Sequence, residues 1–383
     1  MTVTTAPRRV GSAPDRLSIE WHDGTSSEYA SLWLRDNVRE DRDPHSGQRL
    51  VDIADIPADP RIKSAIARDG AIRIDWEGES RPAFFDMQWL LAHASHRPGP
   101  RPQFAPRHWL DGARLHAARD FDWSTFAELA ANPPRRARWL TRLVQDGIAF
   151  LREVPATDAG ILQAAARMGR VSETNYGLVY DVRSVPQPEN LAYSDLGLGL
   201  HTDNPYREPV PGFQLLHVLV ASPDGGESLF ADGFAIAEHL RAAFPDDFAV
   251  LTRTAVPFLY QSKDAELHAE RPLIQLSCAG QVSAVHYNSR SIAPLRLATA
   301  DVAPFYSAYR RLAGLLRDER FQLRLPLSDG ELVAFDNQRI LHGRTAFSSA
   351  KHPRHLRGCY LTRDSVYSEA ALLQRPIQTR VRV

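Results

Sequence analysis

Two imidazoles and one carboxylate stand out in this chain: His201 and Asp203 in His201-Thr202-Asp203, and His342 far downstream in Leu341-His342-Gly343-Arg344. That donor set holds Fe(II) on one face and leaves adjacent coordination positions open for a co-substrate and dioxygen. His201 and Asp203 are two apart, so on an extended strand they point the same way and can grip one ion. The third ligand must come from a distant strand, and the run around His342 can provide one. Histidine and aspartate meet by chance in many loops. Weight comes from Arg354, in Arg354-His355-Leu356-Arg357-Gly358-Cys359-Tyr360. The distal carboxylate of 2-oxoglutarate needs an anchor, and a guanidinium fork suits that task. Strand alternation sets 354, 356, 358 and 360 on one face, which predicts Arg354 and Tyr360 inward and Arg357 outward.

The elements that must position these groups sit in an ordinary globular composition. The chain has 383 residues, 43% of them apolar and 24% charged, with a formal net charge of zero. That length is comfortable for two domains. The balanced charge gives no reason to expect a nucleic-acid or acidic-membrane partner. No apolar run approaches the ~18 residues of a membrane span. Residues Met1 to Pro14 lack the apolar centre of a signal peptide, so a cytoplasmic protein is expected. Cys278 and Cys359, the two cysteines, imply neither a disulfide framework nor a thiolate metal site.

Residues 15–98 contain an internal echo. Leu17-Ser18-Ile19-Glu20-Trp21 alternates, turns at Asp23-Gly24 and runs to Leu32-Trp33-Leu34. Ala71-Ile72-Arg73-Ile74-Asp75-Trp76 alternates, turns at Glu77-Gly78 and leads to a helical Met87-Gln88-Trp89-Leu90-Leu91. This predicts a small β-rich domain built of hairpins. Residues 99–115, in a stretch rich in proline and arginine, read as a linker.

Residues 116–383 begin with helical patterns near 123–131, 136–146 and 158–168. Strand-like runs follow at 213–220, 228–230, 273–278, 281–287, 321–327, 332–335 and 356–361, interrupted by helices at 234–243 and 301–317. Many short strands with Gly and Asp turns predict a mainly β fold with flanking helices: a double-stranded β-helix, or jelly roll, whose mouth can hold a metal. Regular strand–helix alternation, the mark of a parallel sheet, is absent. The glycine-rich run 195–200 opens into His201 rather than a helix, which argues against a phosphate loop.

The order His201-x-Asp203, Gly225-Gly226-Glu227-Ser228, Phe335-Asp336-Asn337-Gln338-Arg339-Ile340-Leu341-His342-Gly343-Arg344, then Arg354-His355-Leu356 resembles the taurine dioxygenase-like Fe(II)/2-oxoglutarate oxygenases, and within them the γ-butyrobetaine hydroxylase branch. Leu32-Trp33-Leu34-Arg35-Asp36-Asn37 is similar to the signature of that branch's N-terminal domain. The resemblance implies iron on His201, Asp203 and His342, 2-oxoglutarate on Arg354 and Ser228, and dioxygen as oxidant. It implies a small quaternary ammonium substrate in an aromatic cage of Tyr176, Tyr180, Tyr193 and Tyr360. Such a cation can donate no strong hydrogen bond and gains about 2 kcal/mol over desolvated aromatic faces.

Two departures from the branch matter. Its N-terminal domain usually carries a zinc held by closely spaced cysteines, and those places are Val38, Glu40 and Asp43 here, so no zinc is expected. At the substrate's anionic end, Asn288 matches the branch's carboxylate-binding asparagine, while Asn204 and Arg290 are additions. A phosphonate offers three oxygens and up to two charges, which an added guanidinium and amide would serve. That composition is similar to the branch hydroxylating 2-(trimethylammonio)ethylphosphonate, with γ-butyrobetaine as the alternative. Taurine-like sulfonate oxidation and a non-catalytic binding module stand further off. His217, His286 and His355 read as structural, and a homodimer is expected.

Overall fold

The computed structural model describes residues 7–95, 104–112, 115, 120–183, 195–347 and 354–375. The chain divides into two compact units, residues 1–102 and 103–383.

The first unit repeats one β-β-β-α arrangement. β1 (Pro7–Ala13), β2 (Arg16–Trp21) and β3 (Ser26–Ala30) form one antiparallel sheet before a helix at Ser31–Asp36. β4 (Ile62–Arg68), β5 (Ala71–Trp76) and β6 (Ala83–Asp86) form another before a helix at Met87–Ala92. Alternation brings Leu17, Ile19, Trp21, Ile72, Ile74 and Trp76 into one core. Gly24 and Gly78 take positive φ at the two expected turns. The Asp86 carboxylate caps the second helix by accepting the Trp89 amide at 2.8 Å. β1 lies wholly before residue 15, the expected start of this domain. Only its Val10 packs against the core, so this edge strand carries no apolar alternation to betray it. After Arg35-Asp36-Asn37, the chain is tied by ion pairs of Arg35 with Asp41 (2.6 Å) and Glu79 (2.8 Å), and of Arg81 with Asp41.

The second unit holds β7 (Trp123–Thr125), β8 (Ile148–Arg152), β9 (Val171–Ser172), β10 (Tyr180–Arg183), β11 (Leu198–His201), β12 (Phe213–Val220), β13 (Ser228–Asp232), β14 (Val256–Gln261), β15 (Glu266–Arg271), β16 (Ile274–Leu276), β17 (Val282–Val285), β18 (Leu323–Leu325), β19 (Leu332–Asp336), β20 (Ile340–Arg344) and β21 (His355–Leu361). A large sheet runs β10-β21-β12-β19-β8-β7, with β9 also on β21, and a smaller one runs β11-β20-β13-β18.

Strand parity builds the layers. Ile148 and Phe150 of β8 and Val333 and Phe335 of β19 enter one cluster with Phe230 of the small sheet. Their neighbours Ala149, Leu151, Leu332 and Ala334 pack on the other side against helices Pro133–Asp146, Gly160–Ala165 and Arg363–Gln374. Leu200, Ala231 and Leu341 turn the opposite face of the small sheet to helices Gly233–Ala243, Pro245–Arg253 and Thr299–Arg317. Each large apolar side chain so buried contributes roughly 1.5–3 kcal/mol. Among the described residues, no helix is long and apolar enough to cross a membrane.

Residues 104–112, read as part of a linker, instead belong to this packed unit. Phe104 and Trp109 are buried, and the Trp109 indole donates to the Asp146 carbonyl at 3.0 Å. Proline and arginine on either side masked these two anchors in the sequence. Leu115 packs against the core of this unit as well, and linker residues 99–103 and 113–114 lie outside the described residues.

Candidate metal centre

β11 and β20 are neighbours, and their register sets His201 directly opposite His342. The two rings lie with centroids 4.3 Å apart. The His201 Nδ1–H donates to the Gly199 carbonyl at 2.9 Å, which leaves Nε2 with the lone pair. That Nε2 is 3.2 Å from Asp203 Oδ1, and Nε2 of His342 is 3.8 Å from the same oxygen. One ligand atom from each of the three lies within 4.8 Å of the others.

Asp203 reaches this place differently from the strand expectation. β11 ends at His201, and Asp203 sits in the loop beyond it. Asn337 holds that loop: its Oδ1 accepts the Asp203 amide at 2.7 Å, and its Nδ2 donates to the Asp203 carbonyl at 3.0 Å. Oδ2 of Asp203 accepts from the Tyr360 hydroxyl at 2.8 Å and from the Gln214 amide at 2.9 Å. Oδ1 is thereby the oxygen that faces the imidazoles. Burial works to raise the Asp203 carboxyl, but facing His342 and His201 and the Tyr360 hydrogen bond outweigh it and hold it well below the ordinary carboxylate range. Burial, then the neighbouring His201, pushes His342 down to about 3, so its imidazole is neutral.

The loop before β20 is fixed by a buried ion pair. Arg339 donates to Asp232 at 2.7 Å and to the carbonyls of Gln145 and Arg107. Asp232 also caps the helix Gly233–Ala243. This ties the turn leading to His342 into the core.

The cavity beside the triad lies between the sheets, lined by Gln214 and Leu356 from the large one, by Arg354 immediately before β21, and by Ser228, Phe230 and Arg344 from the small one. Arg354 sits with Leu356 on the cavity side, and Tyr360 reaches Asp203, as parity predicted. Arg357 points away and pairs with Asp158 and Asp181. Arg354 is buried, and among the described residues no acidic side chain pairs with it. Burial, then the charge of Arg344, lowers it to about 10.

Tyr180 lines the same cavity, its ring 5.2 Å from that of Tyr360 and 6.3 Å from that of Tyr176. Tyr193 lies outside the described residues. Asn204 and Asn288 are buried. The Asn204 amide donates to the Tyr360 hydroxyl at 3.2 Å and accepts from Tyr206 at 2.6 Å. The Asn288 amide donates to the Thr202 carbonyl at 3.2 Å and accepts the Arg290 amide at 3.3 Å. Arg290 is exposed, yet its charge is felt by His342 and Arg344, and Asp203 and Tyr206 act back on it.

Sequence reading missed Gln214, Asn337, Arg344, Tyr206 and Tyr260. The ring of Tyr206 stacks on Tyr260 at 5.1 Å, and Tyr260 meets Tyr176 edge-on at 6.1 Å. Arg344 was legible by the parity used for Arg354, since it follows His342 by two on one strand. The others are joined to the site only by tertiary contacts.

Two imidazole nitrogens turned on one carboxylate oxygen in a buried pocket form a donor set that a ferrous ion fits. An ion so placed beside the buried guanidinium of Arg354, which pairs with no acidic side chain among the described residues, marks an Fe(II)- and 2-oxoglutarate-dependent dioxygenase. Residues 108–360 match the taurine catabolism dioxygenase TauD, TfdA family, and residues 9–91 match the gamma-butyrobetaine hydroxylase-like N-terminal family. The chain is 33% identical to a gamma-butyrobetaine dioxygenase from Pseudomonas sp. (strain AK-1), over 94% of each chain. It is 27% identical to a trimethyllysine dioxygenase from Meyerozyma guilliermondii, again over 94% of each. A solved asparagine oxygenase in complex with Fe(II), 2S,3S-3-hydroxyasparagine and succinate superposes with a TM-score of 0.49, at 20% identity, over 61% of this chain and 80% of its own. The chain belongs to the TauD, TfdA dioxygenase family.

Proposed function

We propose that this dioxygenase hydroxylates an unactivated C–H bond of a small trimethylammonium compound with an anionic end, and that the substrate is 2-(trimethylammonio)ethylphosphonate, giving its 1-hydroxy product. His201, Asp203 and His342 would hold the iron, and Arg354 with Ser228 the distal carboxylate of 2-oxoglutarate. Bound iron and co-substrate supply the oxidising power, with dioxygen consumed and 2-oxoglutarate leaving as succinate and carbon dioxide. The two sheets that enclose the site would be the two halves of a double-stranded β-helix.

What the chain's own residues contribute is orientation. Tyr176, Tyr180 and Tyr360 offer ring faces to the cation, with Tyr193 the fourth member of the cage. Asn288 and Arg290 would take the anion, and Asn204 would steady the Tyr360 ring. Held at both ends, the substrate presents one carbon to the metal, which is the entropic advantage of a positioned reactant.

Arg290 carries the phosphonate reading. Among the described residues no carboxylate forms an ion pair with it, and the carboxylate whose charge acts on it is Asp203 at the metal centre. A doubly charged anion is the partner such a guanidinium lacks. γ-Butyrobetaine, yielding carnitine, is the second reading, favoured by the relative named for that substrate. Succinate release with Fe(II), measured side by side for the phosphonate, γ-butyrobetaine and taurine, tests both. The phosphonate should give the highest kcat/KM, and Arg290→Ala should lose most of that preference. Faster turnover of γ-butyrobetaine, unchanged in Arg290→Ala, would leave the second reading standing.

A further inference from the structure

We infer that Tyr360 and Gln214 are positioning residues of the metal centre, and that they make substrate pocket and metal carboxylate one hydrogen-bonded unit, so that metal and substrate bind cooperatively. This rests on Asp203 being a metal ligand, as proposed above.

Oδ2 of Asp203 receives two donors, the Tyr360 hydroxyl at 2.8 Å and the Gln214 amide at 2.9 Å. A carboxylate oxygen with two such bonds cannot swing toward a cation without giving them up, so the surroundings impose ligation through Oδ1 alone. Gln214 spends its other amide hydrogen on the Tyr180 hydroxyl at 2.7 Å. The remaining bonds have a fixed direction. The one hydroxyl proton of Tyr360 goes to Asp203, so Tyr360 must accept from the Asn204 amide, whose carbonyl in turn accepts from Tyr206. Donors therefore run Tyr206 to Asn204 to Tyr360 to Asp203, each polarising the next toward the anion.

Tyr180 lines the cavity with its ring 5.2 Å from that of Tyr360, so the two rings proposed for the cation cage belong to the same network that supports the metal carboxylate. A cation settling on Tyr360 fixes a donor on Asp203 directly, and one settling on Tyr180 fixes the hydroxyl that orients the Gln214 donor. By linkage, whatever the substrate does to metal affinity, the metal does to substrate affinity.

The test uses the full chain, stripped of metal and titrated with Co(II) in the presence of 2-oxoglutarate. The d–d spectrum reports the ligand field, and titrations run without and with γ-butyrobetaine or the phosphonate. In the parent, substrate should tighten Co(II) binding. Tyr360→Phe keeps the ring and removes only the hydroxyl. It should weaken Co(II) binding roughly 10–100-fold, alter the d–d bands and abolish the effect of substrate. Gln214→Met should weaken Co(II) binding in the same direction, and it decides the matter if Tyr360→Phe does not fold. Parent-like affinity and spectrum in the folded variants overturn the inference. A parent that binds Co(II) no better than His342→Ala removes the ligand assignment itself, a separate failure.

Discussion

Gly358 lies opposite Tyr180 in the pairing of β21 with β10, and the Tyr180 ring fills the space that a side chain at 358 would need. A methyl group there would overlap the phenol ring itself. Gly358→Ala should therefore push Tyr180 off the cavity wall. Overpacking of this kind costs about 1–3 kcal/mol. Expected are a lower melting temperature and a KM for the trimethylammonium substrate raised on the order of tenfold, with a smaller change in the KM for 2-oxoglutarate. Equal effects on both KM values would show that Tyr180 does not face the substrate.

Arg354 poses a different trade-off. Its guanidinium is buried next to the like charge of Arg344, with both pushed down to about 10, chiefly by burial. An unpaired buried charge destabilises the free protein, and a bound carboxylate relieves it. Arg354→Met should raise the melting temperature of the 2-oxoglutarate-free protein while weakening the co-substrate. Losing one partner of a buried charge pair costs about 2–5 kcal/mol, so the KM for 2-oxoglutarate should climb roughly 30-fold or more. Arg354→Lys should recover little, because a point charge replaces a two-pronged donor. A lower melting temperature in Arg354→Met, with the KM unchanged, contradicts both halves.

Asn337 tests how the metal loop is held. Fully buried, it clamps Asp203 through that residue's amide and carbonyl, and reaches the Pro211 carbonyl at 3.2 Å. Asn337→Ala leaves these groups unsatisfied, at a cost of about 1–3 kcal/mol each where water cannot reach. Urea unfolding should show that loss, and Fe(II) binding should weaken with it. If Asn337→Ala unfolds and binds metal like the parent, the loop is held by something else.

How far the sequence led can be judged residue by residue. Leu17, Ile19, Ile72 and Ile74 announced their strands because each repeat buries one face only, which leaves a period of two. β20 was harder to delimit, since four of its five residues are buried and the period vanishes. The helix Pro245–Arg253, the hairpin of β14 and β15, and the helix Arg363–Gln374 passed unnoticed. β15 alternates only between exposed and half-buried residues, too weak a contrast to read. At the candidate site, residue type and order single out His201, Asp203, His342 and Arg354, and parity sets Arg354 and Tyr360 on one face. Gln214 and Asn337 were not, because a neutral amide has no signature until the fold brings it against Asp203.

His286 supplies a pH dependence whose sign can be worked out. It is buried, with Nε2 3.1 Å from Oε1 of Gln275. Burial, and then the charges of Arg271 and Arg363, press it down to about 3. In the unfolded chain the ordinary histidine value is about 6.5. Between these values the unfolded state binds the extra proton and the native state does not, so stability rises with pH. The contribution is fully present above about 6.5 and is lost as pH falls toward about 3. His217, also buried and depressed, acts in the same direction, so the effect of His286 must be read as a difference. His286→Gln removes the titration while retaining an amide donor for Gln275. Its melting temperature should fall less steeply than the parent's between pH 7 and pH 5, whatever its value at neutral pH. Parallel curves for the two proteins across that range would mean that His286 is not held neutral in the native fold.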